Sequence, residues 1–421
     1  MSASVLLMSP GPLGERLAGP EIRALEFARA LAGSFAVTLS ASGRERDGVV
    51  DGMRVIAADR RRLAAEARRH DAVLSSCLPP YLMALRRQGG PLAIADMYDP
   101  YENELATLQG RREREREARG RAAIEALHLR HADVVLCAGQ RQRQALAEKA
   151  RRLGVPGDRA ADPVVLPFGI PVSPPISGRR PLRERFAQIC EGDTVVLWWG
   201  TVWRWLDAES VIRTMALLGE MNRSDVKLVV TAGRPPDREA ARAYDATEQA
   251  RELAARLGVL DRTVLFLDEW IPYDQRFDYL REAQLGITLH RHEAEAQLAA
   301  RARYMDYLAA GLPCVLGRGD EDAAEFEAAG FATLPASHAP EELARVLLRF
   351  ADDPAALAAA AAAGSRLAAE RSWGAVGERL RATVIAALEG RRDRAPEALA
   401  ALGGAGAYYA RRAVDRIAVG R

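Results

Sequence analysis

The densest chemistry in the sequence lies in residues 287–317, ITLHRHEAEAQLAARARYMDYLAAGLPCVLG. An apolar run there predicts a strand ending at His290, followed by a polar loop and a helix carrying Arg301, Arg303 and Asp306. Arg303 and Asp306 are three positions apart and so share nearly one helical face. A guanidinium fork matches phosphate and a carboxylate accepts from hydroxyls, so this face beside a strand end suits phosphate and ribose recognition. His290 and His292, with Glu293 and Glu295, also hint at a metal. Two histidines two apart on a loop leave no clear third ligand, so no metal is expected.

Four further segments carry candidate residues. In ADMYDPYENE (95–104) the acids Asp96, Asp99, Glu102 and Glu104 gather with Tyr98 and Tyr101 at a strand end, where open α/β sheets place ligands. They suit acid–base work, or equally an N-cap and an acidic first helical turn, with Asp99 ahead of Pro100. In GPLGERLAGPEIR (11–23) a loop with Gly14 and Gly19 leads into a helix, so its backbone N–H groups can meet an anion, with Arg16 or Arg23 adding charge. It lacks the G-x-G-x-x-G spacing, and a plain turn fits equally well. In WWGTVWRWLD (198–207), Trp198 and Trp199 read as strand residues; Trp203 and Trp205 follow Gly200 in a loop suited to stacking or to packing. In TAGRPPD (231–237), Arg234 sits just past a strand, a natural phosphate contact.

The elements that must position these residues are legible from the apolar pattern. Short continuous apolar runs recur along the 421 residues, separated by helix-patterned stretches. Continuous rather than alternating runs imply strands covered on both faces, hence a doubly wound α/β fold with parallel sheets. The Pro-, Gly- and Ser-rich stretch 167–181 separates two such sets. Each set opens alike, with a strand, a glycine-containing loop and a helix, Asp207 being the expected N-cap in the second. Two Rossmann-like halves facing each other across a cleft are therefore expected: 1–175, 182–375, and a helical segment 376–421 crossing back to the first.

Composition excludes other classes. Lys plus Arg is 59 and Asp plus Glu is 57, a net charge of +2, too balanced for a nucleic-acid binder held by bulk charge. The lysines are Lys149 and Lys227, and no P-loop occurs, so phosphate recognition falls to arginine and backbone N–H groups. Cys77, Cys137, Cys190 and Cys314 are scattered as reduced thiols would be. No run approaches the roughly 18 apolar residues of a spanning helix, and the start does not read as a signal peptide. A cytoplasmic protein is expected, touching the inner membrane face if the tyrosine- and arginine-bearing tail 407–421 lies on anionic lipid. The stretch 108–132, with its interleaved charges, reads as an exposed helix.

Taken together, these segments resemble the family-4 retaining glycosyltransferases of the GT-B fold, over nearly the whole length. The carriers are AGPEIRALEFARALA, ADMYDPYENE, LWWGTVWRWLDAESVIRTM, WIPYDQRFDYLREAQLGITLH and above all RARYMDYLAAGLPCV. The last matches the family's glutamate-then-A-M-A-C-G-L-P-V segment, with Asp306 at the second acid of the acid-x7-acid pair. The sequence departs from the family in three places. Leu298 occupies the first acid position, leaving Glu293 or Glu295 to stand in. The arginine and lysine usual after the second-domain glycine are missing, with only Arg204 near. Tyr98 replaces the usual histidine at the first-domain strand end.

The resemblance implies transfer of a sugar from a UDP-, GDP- or dTDP-linked donor to an acceptor hydroxyl, with retention, in surface-polysaccharide or secondary-metabolite synthesis. Arg301, Arg303 and Arg234 would carry the diphosphate charge without a metal or other cofactor, joined by the Gly14–Gly19 loop. Asp306 would hold the ribose, and Glu293 or Glu295 would orient the sugar. Asp99 and Tyr98 would serve the reacting hydroxyl. His290, Gly200, Trp203, Arg204 and Arg16 complete the expected donor site. A catalytically silent nucleotide-sugar-binding subunit and a GT-B epimerase are the alternatives. A phosphorylase would need a lysine-bound pyridoxal phosphate, and neither lysine has a suitable context.

Overall fold

The apolar runs form strands, and the stretches between them form helices. The protein is described by a computed structural model over residues 3–41, 46–57, 59–83, 90–99, 111–155, 162–172, 177–233, 245–291 and 296–390. Its chain divides into two compact units. One contains Met1–Leu13, Pro20–Pro167 and Gly374–Arg421; the other contains Gly14–Gly19 and Phe168–Trp373.

The first unit holds strands β1 (Ser4–Ser9), β2 (Ala36–Ala41), β3 (Gly48–Val50), β4 (Met53–Ala57), β5 (Ala72–Ser75), β6 (Leu92–Asp96), β7 (Val134–Cys137) and β8 (Val164–Val165). Their order across the sheet is β3-β4-β2-β1-β5-β6-β7-β8. Every pair is parallel except β3–β4. That hairpin was not expected from the sequence. Its turn is Asp51-Gly52, both at positive φ (48° and 76°), the backbone that a two-residue hairpin of matching twist requires. Helices α1 (Gly19–Ala32), α2 (Arg60–Ala67), α3 (Pro80–Met83), α4 (Arg111–His131) and α5 (Gln140–Arg152) connect the strands. On α4 the pairs Arg111–Glu115 and Glu117–Arg121 join across one turn, as interleaved charges four apart allow.

The second unit begins with the short helix α6 (Pro181–Arg185) and holds β9 (Thr194–Trp198), β10 (Val226–Thr231), β11 (Val264–Leu267), β12 (Leu285–Thr288), β13 (Cys314–Leu316) and β14 (Ala332–Thr333). Their order is β11-β10-β9-β12-β13-β14, all parallel. Between them run α7 (Ala208–Glu220), α8 (Asp245–Arg256), α9 (Arg276–Glu282), α10 (Ala302–Ala310), α11 (Glu321–Ala329), α12 (Pro340–Asp352) and α13 (Pro354–Ala368). A core of buried residues including Val196, Trp198, Ile212, Met215, Val230, Ile287 and Leu347 cements sheet to helices. Asp207 caps α7 as its position in the sequence predicts, accepting from Ser210 N–H at 3.2 Å.

The last described helix, α14 (Trp373–Glu389), belongs almost entirely to the first unit. Gly377 lets it approach α1 closely, since a Cβ there would lie 2.7 Å from the Ala30 side chain. Arg381 donates to Ala30 O at 2.6 Å and Arg379 to Val165 O at 2.7 Å. The tail 407–421 lies outside the described residues. Among the described residues no helix is long and apolar enough to cross a membrane.

Candidate functional site

In the second sheet the chain order reverses at β9, whose neighbours are β10 on one side and β12 on the other. Open α/β sheets place ligands outside the strand C-termini at such a switch point. The segments emerging there are Trp199–Gly200–Thr201 after β9 and Leu289–His290 after β12.

Helix α10 is pinned at this point by one buried side chain. The Tyr307 hydroxyl donates toward the Leu197 and Ile287 carbonyls at 3.1 and 3.0 Å and accepts from Trp199 N–H at 3.1 Å. It therefore ties α10 to the ends of both β9 and β12. Gly286 makes room for it, because a Cβ there would meet the tyrosine ring at 2.8 Å. Burial pushes the Tyr307 phenol up to about 12, so it stays protonated as a structural pin.

With α10 seated this way, its polar residues reach the switch point along separate routes. Arg303 donates to Thr201 O at 3.1 Å. Its guanidinium lies against Gly200, whose φ of 85° belongs to the left-handed region; a Cβ there would be 3.4 Å from Arg303 Nη2. Asp306 accepts from the Trp199 indole N–H at 2.9 Å and from Arg276 Nε at 3.0 Å. Arg276, at the start of α9, is stacked on Tyr273 and Phe277 at 3.6 and 4.2 Å from their ring centres. Arg303 and Asp306 thus reach different partners. A carboxylate has about four lone-pair positions, so two donors leave Asp306 capacity for ligand hydroxyls.

His290 follows β12 and is buried, its Nε2–H donating to Arg318 O at 2.9 Å. Burial, reinforced by the neighbouring Arg301 charge, holds its pKa down to about 3, so the ring is neutral. Its Nδ1 is then a buried acceptor, and it has no hydrogen-bond partner among the described residues. Arg301 precedes α10 and lies 4.0 Å from Asp320, the N-cap of α11. Trp203 and Trp205 stack at 5.3 Å with planes 7° apart and pack in part on the core; Arg204 lies between them in sequence.

The glycine loop joins this neighbourhood. Residues Gly14–Gly19, including Arg16, count with the second unit, where Tyr273 N–H donates to Glu15 O at 2.8 Å. A Cβ at Gly19 would lie 3.4 Å from the Ala302 side chain, at the start of α10. Neither Gly14 nor Gly19 has positive φ. At Gly11 a Cβ would fall 2.0 Å from Glu21 Oε1, so the buried Glu21 side chain would have to shift.

At the end of β6 in the first unit, Asp96 takes a two-pronged ion pair from Arg23, at 2.7 and 2.8 Å. Arg23 is sandwiched by Phe27 and Tyr98, and Gln142 donates to Tyr98 O at 2.7 Å. Burial keeps the Tyr98 phenol far above its ordinary range, so it remains a hydroxyl donor. Asp99 is exposed. Arg234, Glu293, Glu295, His292, Glu102 and Glu104 lie outside the described residues. No group of three or more His, Cys, Asp or Glu suited to a metal occurs among the described residues.

Sequence reasoning missed Trp199, Arg276, Tyr307 and Asp320. Arg276 is 30 positions from Asp306 and carries no local signal of that contact. Trp199 reads as strand, and only its indole N–H reveals the second role.

No family model matches the chain, and no curated protein matches it. Solved structures do. WaaG, a glycosyltransferase involved in lipopolysaccharide biosynthesis, is similar with a TM-score of 0.66 at 16% identity, over 90% of this chain and 99% of that one. Sucrose-phosphate synthase from Thermosynechococcus elongatus gives 0.66 at 17%, over 91% and 100%. HepE of Anabaena, solved with UDP and glucose, gives 0.65 at 15%, over 91% and 100%. The two parallel-sheet units and these likenesses define the fold as GT-B.

Proposed function

We propose that this protein is a retaining glycosyltransferase of family 4, moving a sugar from a nucleotide-sugar donor to an acceptor hydroxyl of a surface polysaccharide or a secondary metabolite. The observation that carries this reading is the switch point of the second sheet. There Arg303 covers the Gly200 turn while Trp199 and Arg276 aim the Asp306 carboxylate. That HepE was solved with UDP-glucose supports a nucleotide sugar as donor.

In this reading the second unit takes the donor and the first the acceptor. Asp306 accepts the ribose hydroxyls. As the bond from the anomeric carbon to the phosphate oxygen breaks, its electrons pass to the leaving diphosphate; the acceptor oxygen bonds to that carbon on the same face and its proton passes to the departing phosphate oxygen. Arg301, Arg303 and Arg234 stabilise that charge in place of a metal. Glu293 or Glu295 orients the sugar, and neutral His290 offers Nδ1 to a sugar hydroxyl. Asp99 meets the acceptor, with Tyr98 holding the turn that presents it.

Donor binding and acceptor-dependent release of nucleoside diphosphate test the proposal, using UDP-, GDP- and dTDP-sugars with a panel of hydroxyl acceptors. Turnover is expected to survive EDTA, and NMR of the product to show the donor's anomeric configuration. Binding without turnover would make the chain a silent nucleotide-sugar subunit, and a free epimerised sugar would make it an epimerase.

A further inference from the structure

Asp320 lies where β13 ends, beyond the Gly317–Gly319 turn, and its side chain is only 2% exposed. One oxygen is committed: Oδ1 accepts Ala323 N–H at 2.6 Å, capping α11. The other, Oδ2, makes no hydrogen bond among the described residues and faces Arg301 Nε at 4.0 Å. Arg301 is itself 8% exposed. A cap needs only one carboxylate oxygen, and Ser or Asn would serve as well. Burying a full negative charge for that purpose is costly, so the second oxygen calls for its own explanation. The opposite charge that faces it is Arg301.

We propose that Asp320 is the internal counter-ion of Arg301, a positioning residue that holds this guanidinium at the switch point and yields it to a ligand oxyanion. The proposal deepens the donor-binding reading and rests on it for the identity of that oxyanion, the diphosphate of the nucleotide sugar.

The surroundings make the counter-ion adjustable. Burial pushes the Asp320 carboxyl up to about 7, against the opposing pull of Arg301. The Ala323 N–H and the nearby Tyr304 hydroxyl also favour its ionised form, while Asp322 on the same helix disfavours it. Tyr304 on α10 and Cys314 on β13 are the other titratable groups facing it. Both are fully buried and held well above their ordinary ranges, so they stay neutral near pH 7. His290, beside Arg301, is neutral too. Asp320 is thus the member of this cluster that changes charge near neutrality. Below pH 7 it is protonated and Arg301 presents its full charge. Above pH 7 the carboxylate competes with any incoming phosphate.

The experiment is calorimetric titration at pH 6 and pH 8.5 with two probes of constant charge over that range, sulfate and UDP-glucose. It compares the parent protein with Asp320→Asn, which keeps the helix cap and removes the charge, and with Arg301→Gln. In the parent, affinity for both probes is expected to fall about tenfold between the two pH values, as competition from an ionised neighbour at this distance dictates. Asp320→Asn should bind at pH 8.5 as tightly as the parent does at pH 6. Arg301→Gln should bind weakly at both. Sulfate behaving this way while neither UDP-glucose nor GDP- or dTDP-sugars bind would uphold the counter-ion and sink the glycosyltransferase reading. An identical pH profile in parent and Asp320→Asn would overturn the proposal, as would failure of both probes to bind.

Discussion

Each unit buries an arginine–aspartate pair at the C-terminal edge of its sheet, and the two pairs are built differently. In the first, Arg23 and Asp96 are 1% and 5% exposed and meet through two parallel hydrogen bonds, with the guanidinium stacked on aromatic rings. In the second, Arg301 and Asp320 stand 4.0 Å apart, beyond hydrogen-bond distance. A closed, bidentate pair commits its donors to its partner and fixes geometry. The wider pair leaves Asp320 Oδ2 without a hydrogen bond among the described residues, an arrangement an incoming anion at Arg301 would alter. The contrast separates an arginine locked to its carboxylate from the one that the proposed donor binding would use.

Breaking the closed pair should produce the largest effect. Arg23→Met leaves Asp96 buried without its counter-charge and should cost about 3–5 kcal/mol in denaturant unfolding. Arg23→Met with Asp96→Leu should recover most of that loss. A single variant within about 1 kcal/mol of the parent, the worth of a surface pair, would erase the contrast.

Asp320→Asn sharpens it from the other side. The folded carboxyl titrates at about 7 rather than at 3.8, so between those values the folded state binds a proton that the unfolded state does not. Stability therefore falls as pH rises through this window and levels off above it. The asparagine variant lacks this dependence. Its stability relative to the parent should climb from pH 4 to 7 by up to about 4 kcal/mol, the free energy that follows from so large a gap between folded and unfolded titration. Parallel unfolding curves at every pH would show that Asp320 ionises normally.

Arg303 tests the ligand side directly. Arg303→Ala should weaken nucleotide-sugar binding by about 1.5–3 kcal/mol, and Arg303→Lys should restore only part, because an ammonium lacks the planar fork. Calorimetry decides it, with melting temperature nearly unmoved. The smallest expected effect is Gly200→Ala, about 1–2 kcal/mol of stability for a side chain at left-handed φ. The methyl also lies 3.4 Å from Arg303 Nη2, so binding should weaken with it.

Much of this molecule is legible locally. The apolar runs announce buried parallel strands, and Asp207 is readable as a cap. The 167–181 stretch contains the Pro167–Phe168 boundary where the described units part. The β3–β4 hairpin was missed although Asp51-Gly52 is a recognised turn pair, because β3 is three residues long and too short to show a period. Arg301, Arg303 and Asp306 stand out in the sequence by residue type and spacing. Their partners do not. Helical spacing put Arg303 and Asp306 on one face, but not what each would touch: Arg303 reaches Thr201 O, and Asp306 takes the Trp199 indole and Arg276.

Sequence alone therefore determined the layers and the longer strands, since periodicity acts over a few positions. Tertiary structure decided the rest. Trp199 and Arg276 reach Asp306 from 107 and 30 positions away, and Asp320 faces Arg301 across a helix, a strand and a turn. Charge and hydrogen bonding act through space, and only the parallel crossovers that return each strand beside its neighbour bring these groups within reach.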